Sequence, residues 1–272
     1  MSSTARMPVA FFGHGSPMNT LQSNRHTEAW RALGCSLPRP RAILAVSAHW
    51  YIEGTAVTAM TQPQTIHDFF GFPQALFDVQ YPAPGDPALA ARVRDLLAPV
   101  EVKMDQAWGL DHGTWSVLAH VYPQADIPVV QLAIDATKPA AWHYELGRRL
   151  APLRDEGVLI VGSGDVVHNL RVIRWGDEAA PFDWAARFND FARHHIAAGE
   201  HAPHSRSAAQ GEDARLSIPT PEHYLPLLYV LGAAQGGNAG NGAGDRDDIV
   251  SFATDGIELG SISMLSCVIG PS

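Results

Sequence analysis

Short apolar runs alternate with amphipathic stretches along most of the chain. Runs rich in Val, Ile and Leu that end in Gly, Ser or Asp are typical of strands buried on both faces of a sheet. Apolar residues at three- and four-residue spacing after a Pro, Thr or Asp instead predict helices. The predicted strands are residues 9–12, 42–47, 127–132 and 158–162, and the predicted helices are residues 26–33, 87–97, 114–121, 140–153 and 184–198.

The alternation of strands and helices predicts an α/β fold with a mostly parallel central sheet flanked by helices. The pattern changes near the end, where residues 249–253 and 257–268 flank the turn sequence Asp255-Gly256, so we expect an antiparallel C-terminal hairpin. The length favours one catalytic domain over residues 1–272 rather than two domains.

Three segments interrupt the pattern. Residues 203–213 are polar and charged, and residues 233–248 are low-complexity Gly, Asn, Ala and Asp sequence, so both are predicted to be loops. Residues 60–87 combine several prolines with aromatic side chains. That segment is too aromatic for a free linker, and we expect an ordered loop at the active site.

Charge and cysteine content exclude several classes of protein. The net charge of −9 and the absence of a Lys/Arg cluster argue against nucleic acid as a partner. No apolar leader or run of membrane-spanning length is present, so we expect a cytoplasmic protein with no membrane partner. Cys35 and Cys267 stand far apart in apolar surroundings, which predicts reduced, structural thiols rather than a disulfide or a thiolate zinc site.

The chain contains 13 histidines, and their positions carry the functional signal. Ligands of open α/β sheets gather beyond the carboxyl ends of the strands. His14, His49 and His168 follow three of the predicted strands, while His112 and His223 stand just before two helical segments. Five loops are therefore predicted to converge on one pocket, although each histidine alone is also explained by capping or hydrogen bonding.

Imidazole and carboxylate without thiolate suit one divalent ion, Fe(II), Zn(II) or Mn(II), in a catalytic site with open positions. Gly13 and Gly15 allow close backbone approach around His14. Asp165 is equally explained as a helix N-cap or as a functional group. Neither a phosphate loop nor a serine hydrolase is supported, because the nucleotide fingerprints and the Gly-x-Ser-x-Gly sequence are missing.

The remaining histidines have simpler explanations. We expect solvated positions for those in or near the 184–198 helix and the polar loop, and surface or core-edge positions for those inside the other helices. His67 stands at the mouth of the aromatic loop, where it could meet a substrate. The histidines in or near the 184–198 helix and the polar loop are His194, His195, His201 and His204, and those inside the other helices are His26, His120 and His143.

Five motifs occur in order from about Pro8 onward. They are Gly13-His14-Gly15-Ser16-Pro17, Ser47-Ala48-His49-Trp50, Gly109-Leu110-Asp111-His112-Gly113, Gly162-Ser163-Gly164-Asp165 with His168-Asn169-Leu170, and His223-Tyr224-Leu225-Pro226-Leu227. Together they resemble the DODA-type class III extradiol dioxygenases, a family that includes DOPA 4,5-dioxygenases and is related to the catalytic subunit of protocatechuate 4,5-dioxygenase.

The resemblance implies one metal bound by His14, His49 and His223. The wider superfamily uses a glutamate as third ligand, and Glu222 stands beside His223, but the motif of this branch points to His223. His168 resembles the family's acid/base histidine, with His112 as the alternative. Fe(II) would serve ring cleavage, and an all-histidine set also suits Zn(II).

The implied substrates are a catechol and O₂. Core packing and a substrate wall explain the aromatic side chains of the 60–87 loop equally well. These side chains include Phe69 and Tyr81, and the same holds for Trp115. The predicted substrate-binding residues are Ser16, Trp50, His67 and Phe72. A carboxylated substrate could meet Arg6, Arg171 or Arg174.

Two alternatives to the dioxygenase stay open at this point. One is a zinc-dependent hydrolase on the same site, acting through metal-bound hydroxide. The other is a Memo-like non-enzymatic metal-binding protein. The sequence carries no signal that fixes the oligomeric state.

Overall fold

The structure is a computed structural model that describes residues 6–176, 179–205, 211–235 and 248–271. Its strands are β1 (Val9–Gly13), β2 (Ala42–Ile52), β3 (Thr55–Thr58), β4 (Gln64–Thr65), β5 (Val102–Asp105), β6 (Gly109–Leu110), β7 (Val129–Asp135), β8 (Val158–Gly164), β9 (Ile249–Thr254), β10 (Ile257–Glu258), β11 (Ile262–Ser263) and β12 (Ser266–Gly270). Its α-helices are α1 (Arg25–Ser36), α2 (Gln74–Phe77), α3 (Pro87–Leu97), α4 (His112–Val121), α5 (Ala140–Leu150), α6 (Pro152–Asp155), α7 (Asp183–Ala197), α8 (Ala202–Ser205), α9 (Glu212–Ser217) and α10 (Leu225–Gln235).

An eight-stranded sheet in the order β5-β3-β7-β2-β8-β1-β12-β9 forms the centre of the molecule. Its middle is parallel, because β8 pairs in parallel with both β1 and β2, and β2 pairs in parallel with β7. These strands are buried on both faces, as their continuous apolar sequences predict. The predicted α/β fold with a mostly parallel sheet is confirmed.

Helices cover both faces of the sheet, and alternate strand residues enter two different cores. Val9 and Phe11 of β1 face the core that includes α5 and α10, whereas Ala10 and Phe12 face the core that includes α1 and α4. This alternation follows from the two-residue period of a strand. Parallel β1 and β8 therefore end at the same edge of the sheet, where His14 and Asp165 begin the connecting loops.

The predicted C-terminal hairpin is confirmed, with a different internal arrangement. β12 lies antiparallel to both β1 and β9, and a small hairpin of β10 and β11 stands between β9 and β12. The predicted strand 257–268 is broken because Leu259 and Gly260 adopt φ values of 50° and 76° in the turn that joins β10 to β11. Asp255-Gly256 thus leads from β9 into the small hairpin.

Several predicted boundaries move for identifiable reasons. β2 runs on to Ile52, so His49 lies inside a strand rather than after it, next to a register irregularity between Val46 and Tyr51. The predicted helix 140–153 stops at Leu150 and a short helix restarts at Pro152, because proline cannot continue the hydrogen bonding of a helix interior. α4 begins at His112, with Asp111 as its N-cap.

The two polar loops are only partly described. The 203–213 segment includes parts of α8 and α9, and residues 206–210 lie outside the described residues. Residues 233–235 complete α10, and residues 236–247 also lie outside. Cys267 is buried as expected, whereas Cys35 is exposed, and both thiols are free. In the described part of the chain, the helices are too short or too polar to cross a membrane.

Candidate active site

His14 stands at the end of β1, where glycines allow neighbouring backbone to come close. A Cβ on Gly13 would lie 2.8 Å from the carbonyl oxygen of Leu265, and Gly15 has a φ of 58°. The His14 Nδ1 atom lies 2.9 Å from Ser163 Oγ, which donates its own hydrogen to the Gly113 carbonyl at 2.5 Å. Because Ser163 then accepts from Nδ1–H, the Nε2 atom of His14 keeps its lone pair.

His49 projects from β2 toward His14. Its Nε2 atom lies 3.3 Å from His14 Nε2, and its Nδ1 atom lies 3.3 Å from Asp68 Oδ2. Two nitrogens bound to one tetrahedral ion at about 2.0–2.1 Å would lie about 3.3 Å apart. The spacing of the two imidazoles therefore fits a shared metal.

His112 begins α4, where the helix cap directs it toward the same place. Asp111 caps the helix by accepting from Thr114 N at 3.1 Å. Asp68 Oδ1 accepts from the backbone N–H of His112 at 2.9 Å and lies 2.9 Å from its Nδ1. The His112 ring centroid lies 3.8 Å from that of His49 and 5.4 Å from that of Phe69.

His168 and His223 form the opposite side of the site. Their rings stack with centroids 3.4 Å apart, and Glu222 Oε1 lies 3.2 Å from His223 Nδ1. A Cβ on Gly164 would collide with the His223 carbonyl oxygen, so glycine is required for this close approach. Asp165 N–H donates to the same carbonyl at 2.9 Å, which fixes the segment to the end of β8.

All five predicted histidines thus meet at one end of the sheet. The His14 ring centroid lies 5.1, 5.9 and 5.4 Å from those of His49, His112 and His223. Among the described residues, three overlapping groups could hold a metal ion: His14 with His49 and His112, His14 with Asp165 and His223, and His168 with Glu222 and His223.

Burial favours the neutral form of four of these imidazoles, those of His14, His49, His168 and His223. Desolvation, followed by repulsion from neighbouring histidines, holds the pKa values of His14 and His223 well below the usual range. Desolvation and the charge of His112 lower the pKa of His49 to about 3, and desolvation lowers the pKa of His168 to about 4. Neutral imidazoles are the form that binds metal or accepts a proton.

The pKa values of two carboxyl groups in the site are shifted in opposite directions. Burial raises the pKa of Asp68, but its hydrogen bond to His112 and its electrostatic interactions with His112 and His49 outweigh burial, so the pKa lies below its usual value. Burial holds the pKa of Asp165 well above its usual value, opposed by the Gly15 N–H. Asp165 Oδ2 lies 3.5 Å from Nε2 of His14, whose lowered pKa favours the neutral imidazole, so this contact is not an ion pair.

Asp165 is not a helix N-cap, so that interpretation is wrong. Its Oδ1 accepts from Gly15 N at 3.1 Å across two loops, and Asn169 caps the short 3₁₀ helix that follows. Asp165 thus links the loop after β8 to the loop after β1.

The predicted substrate-binding residues lie in different surroundings. Ser16 caps the 3₁₀ helix of Pro17–Leu21. Trp50 is not placed with the histidines: it alternates with His49 along β2 and stacks on Trp108 with centroids 5.5 Å apart. His67 hydrogen-bonds the Val79 carbonyl at 2.9 Å, and Phe72 packs on Phe69 rather than on a site histidine.

Several other expectations are corrected by burial. Trp115 donates its indole N–H to the Ile66 carbonyl, and Tyr81 donates its hydroxyl to the Tyr122 carbonyl, so both are core residues. Arg6 pairs with Asp155 at the opposite end of β1, and Arg174 stacks on Phe182. His201 and His204, which were expected to be solvated, are buried. His26, His120 and His143, which were expected at the surface or at the edge of the core, are also buried.

Asp68 and Ser163 contact the site histidines without having been predicted as site residues, and Phe69, which was predicted as either core or substrate wall, contacts His112. Ser163 could have been found as a polar residue at the carboxyl end of a predicted strand. Asp68 and Phe69 follow His67 in the aromatic loop, and only the three-dimensional structure shows that they, rather than His67, reach His49 and His112.

A cluster of histidines and carboxylates at the carboxyl ends of parallel strands defines a non-haem metal enzyme rather than a nucleotide-binding protein. Residues 11–242 match the family described as the catalytic LigB subunit of aromatic ring-opening dioxygenase, and the chain belongs to that family.

Relatives of known name agree with this assignment. The chain is 55% identical to a 4,5-DOPA dioxygenase extradiol of Escherichia coli K12 over 99% of this chain and 97% of that protein. It is 40% identical to a 4,5-DOPA dioxygenase extradiol of Beta vulgaris over 82% of this chain and 85% of that protein. The crystal structure of an uncharacterized Escherichia coli K12 protein matches with a TM-score of 0.82 and 49% identity, covering 97% of this chain and 100% of that one.

The predicted family and enzyme class, an extradiol ring-cleaving dioxygenase, are confirmed by these matches. They favour the dioxygenase over the zinc hydrolase and the non-enzymatic alternative. Aromatic substrate, O₂ and a single non-haem metal belong to this class of enzyme.

Proposed function

We propose that this chain, acting as one catalytic domain, cleaves the ring of DOPA or a similar catechol beside its hydroxyl groups, with both atoms of O₂ entering the product. The convergence of five histidines from five chain segments on one edge of the sheet carries the proposal. The names of the relatives support DOPA as the first substrate to test.

We assign His14, His49 and His223 as the ligands of one Fe(II). The lone pairs of His14 and His49 Nε2 face each other at 3.3 Å, an arrangement that is repulsive unless a proton or cation lies between them. Glu222 Oε1 lies beside His223 Nδ1, which supports Glu222 as the acceptor for His223 rather than as the ligand. Zn(II) would fit the same donors.

When bound, Fe(II) would supply the redox chemistry that joins catechol and O₂. The chain's own groups then handle the protons. His168 is neutral because its pKa is lowered to about 4, and its backbone N–H is fixed by the Ser217 carbonyl at 2.9 Å. His168 accepts a phenolic proton as the catechol binds and returns a proton when the ring has opened.

His112 and Phe69 provide the second side of the substrate pocket. Asp68 Oδ1 lies 2.9 Å from His112 Nδ1 and favours the hydrogen on that nitrogen, which leaves Nε2 of His112 to accept from a substrate hydroxyl. The edge-on contact of Phe69 with His112 offers an apolar surface for an aromatic ring.

Anaerobic reconstitution with Fe(II) followed by oxygen and a panel of DOPA, dihydroxyphenylacetate and protocatechuate tests the proposal. The visible absorbance of a ring-opened semialdehyde is expected with Fe(II) and not with Zn(II), and His168→Ala should lower its rate by at least about 100-fold. No colour from any of these catechols despite one bound iron per chain would refute it.

A further inference from the structure

Asp68 lies in the loop between β4 and α2, and its two carboxylate oxygens serve different histidines. Oδ1 accepts from the His112 backbone N–H and faces His112 Nδ1, each at 2.9 Å. Oδ2 faces His49 Nδ1 at 3.3 Å. The Asp68 side chain is 17% exposed and that of His112 is 7% exposed, so these contacts are largely shielded from water.

A neutral imidazole carries its hydrogen on only one nitrogen. A carboxylate beside Nδ1 keeps the hydrogen there and leaves the lone pair on Nε2. For His49 that lone pair points toward His14 Nε2, and the nitrogen atoms of His14, His49 and His112 lie within 4.8 Å of one another.

We propose that Asp68 is a positioning residue that sets the tautomer of two imidazoles at once, one that holds the metal and one that faces the substrate. The inference rests on the proposed function for the roles of His49 and His112, while the contacts of Asp68 with the two imidazoles do not depend on it. Loop 60–87 thereby acts on the tautomers of these histidines through the side chain of Asp68.

Only Oδ1 of Asp68 accepts a backbone hydrogen bond, so the orientation of the side chain in an Asp68→Asn variant can be predicted. The backbone N–H of His112 can only donate, so the asparagine oxygen must occupy the Oδ1 position. The asparagine NH₂ then faces His49 Nδ1 and forces that atom to accept, which moves the His49 hydrogen to Nε2. The substitution should therefore disturb His49 and spare His112.

Two measurements on the full-length protein test this. Zinc affinity is measured by competition with a chromophoric chelator, and imidazole tautomers are read from two-bond ¹H–¹⁵N spectra of ¹⁵N-histidine protein, with His49 and His112 assigned from glutamine variants. Asp78→Asn is the matched control, because Asp78 belongs to the same loop, is exposed, and has Gln74 as its side-chain partner.

We expect Asp68→Asn to weaken zinc binding by about 10–100-fold, to move the His49 hydrogen to Nε2 in the metal-free protein and to leave His112 unchanged. Asp78→Asn should bind zinc within about twofold of the unaltered protein. The inference is overturned if Asp68→Asn binds zinc as tightly as the unaltered protein, if His49 keeps its Nδ1–H tautomer, or if Asp78→Asn loses zinc to the same extent.

The readouts separate this inference from the proposed function, because neither needs a catechol. An unaltered protein that binds zinc but never cleaves a catechol refutes the proposed function and leaves the Asp68 test standing. Ring cleavage by the unaltered protein together with an unaffected Asp68→Asn variant refutes only the role of Asp68.

Discussion

Gly113 lies where a single added methyl group would strike the proposed metal site. A Cβ at Gly113 would lie 2.8 Å from His49 Cδ2, whereas ordinary contacts begin at 3.4 Å, and it would also collide with Ser47 Oγ. The His49 ring would have to retreat by about 0.6 Å. Gly113→Ala is therefore expected to move the proposed ligand His49, although alanine normally stabilises a helix by up to about 1 kcal/mol relative to glycine.

The steric clash lowers the stability of the protein whereas the better helix residue raises it, so the measured change in stability shows which effect dominates. Overpacking costs about 1–3 kcal/mol, so the metal-free variant should unfold at a lower denaturant concentration despite the better helix residue. Displacement of His49 should weaken zinc binding by about 10–100-fold. Both quantities are measured on the same preparation, by chemical unfolding without metal and by chelator competition.

Gly34→Ala provides the matched control. A Cβ at Gly34 in α1 would lie 2.8 Å from the carbonyl carbon of Val121 and would collide with its oxygen, so it also overpacks a helix contact, but away from the site histidines. It should destabilise the protein and leave zinc affinity unchanged. A Gly113→Ala variant that is more stable than the unaltered protein and binds zinc equally well would refute the reasoning.

Three further outcomes are expected. His14→Ala and His49→Ala should each weaken zinc binding by at least about 100-fold in chelator competition, whereas His168→Ala should retain it within a few-fold; equal loss in all three would contradict the separate role of His168. Burial lowers the pKa of His143 to about 4, so its neutral form stabilises the protein above pH 6.5 and this contribution is lost as pH falls toward 4. The free energy of unfolding should drop by about 2 kcal/mol from this group between pH 7.5 and 5, and His143→Gln should flatten that dependence; an unchanged slope would contradict it. Asp248→Ala leaves the buried Arg154 without its carboxylate and should cost about 3 kcal/mol in chemical unfolding with zinc affinity unchanged; a loss under 1 kcal/mol would show that the carbonyl partners suffice.

Local sequence patterns predicted the positions of residues that stand at the end of a single strand. The apolar runs that became β1 and β8 placed His14 and His168 near the carboxyl edge of the sheet, and the motif around His223 placed that residue before a helix. These predictions succeeded because the end of a buried strand is visible in the sequence. The prediction that Trp50 faces the site did not hold, because it depended on where the strand ends. β2 continues past Ser47, so strand alternation turns Trp50 away from His49.

Contacts between distant segments were beyond the reach of such patterns. The buried His143 and His204 look like exposed helix or loop residues until Tyr229 and Tyr224 are seen to supply hydrogen-bond partners at 2.9 and 2.7 Å. Their partners lie 86 and 20 residues away in sequence. A lone histidine shows no local sign of such a partner, because burial is decided by the packing of other elements.

The site follows one rule that only the assembled structure reveals. Nδ1 of His14 faces Ser163, Nδ1 of His49 faces Asp68, and Nδ1 of His223 faces Glu222. Each acceptor comes from a different part of the chain, and each favours the tautomer in which Nε2 keeps its lone pair. Three independent contacts with the same chemical consequence are difficult to explain by packing alone, because packing has no preference between the two nitrogens of a ring. The shared orientation is what the proposed binding of one cation by these Nε2 atoms requires, and it joins the strands that position the proposed ligands to the loops that orient them.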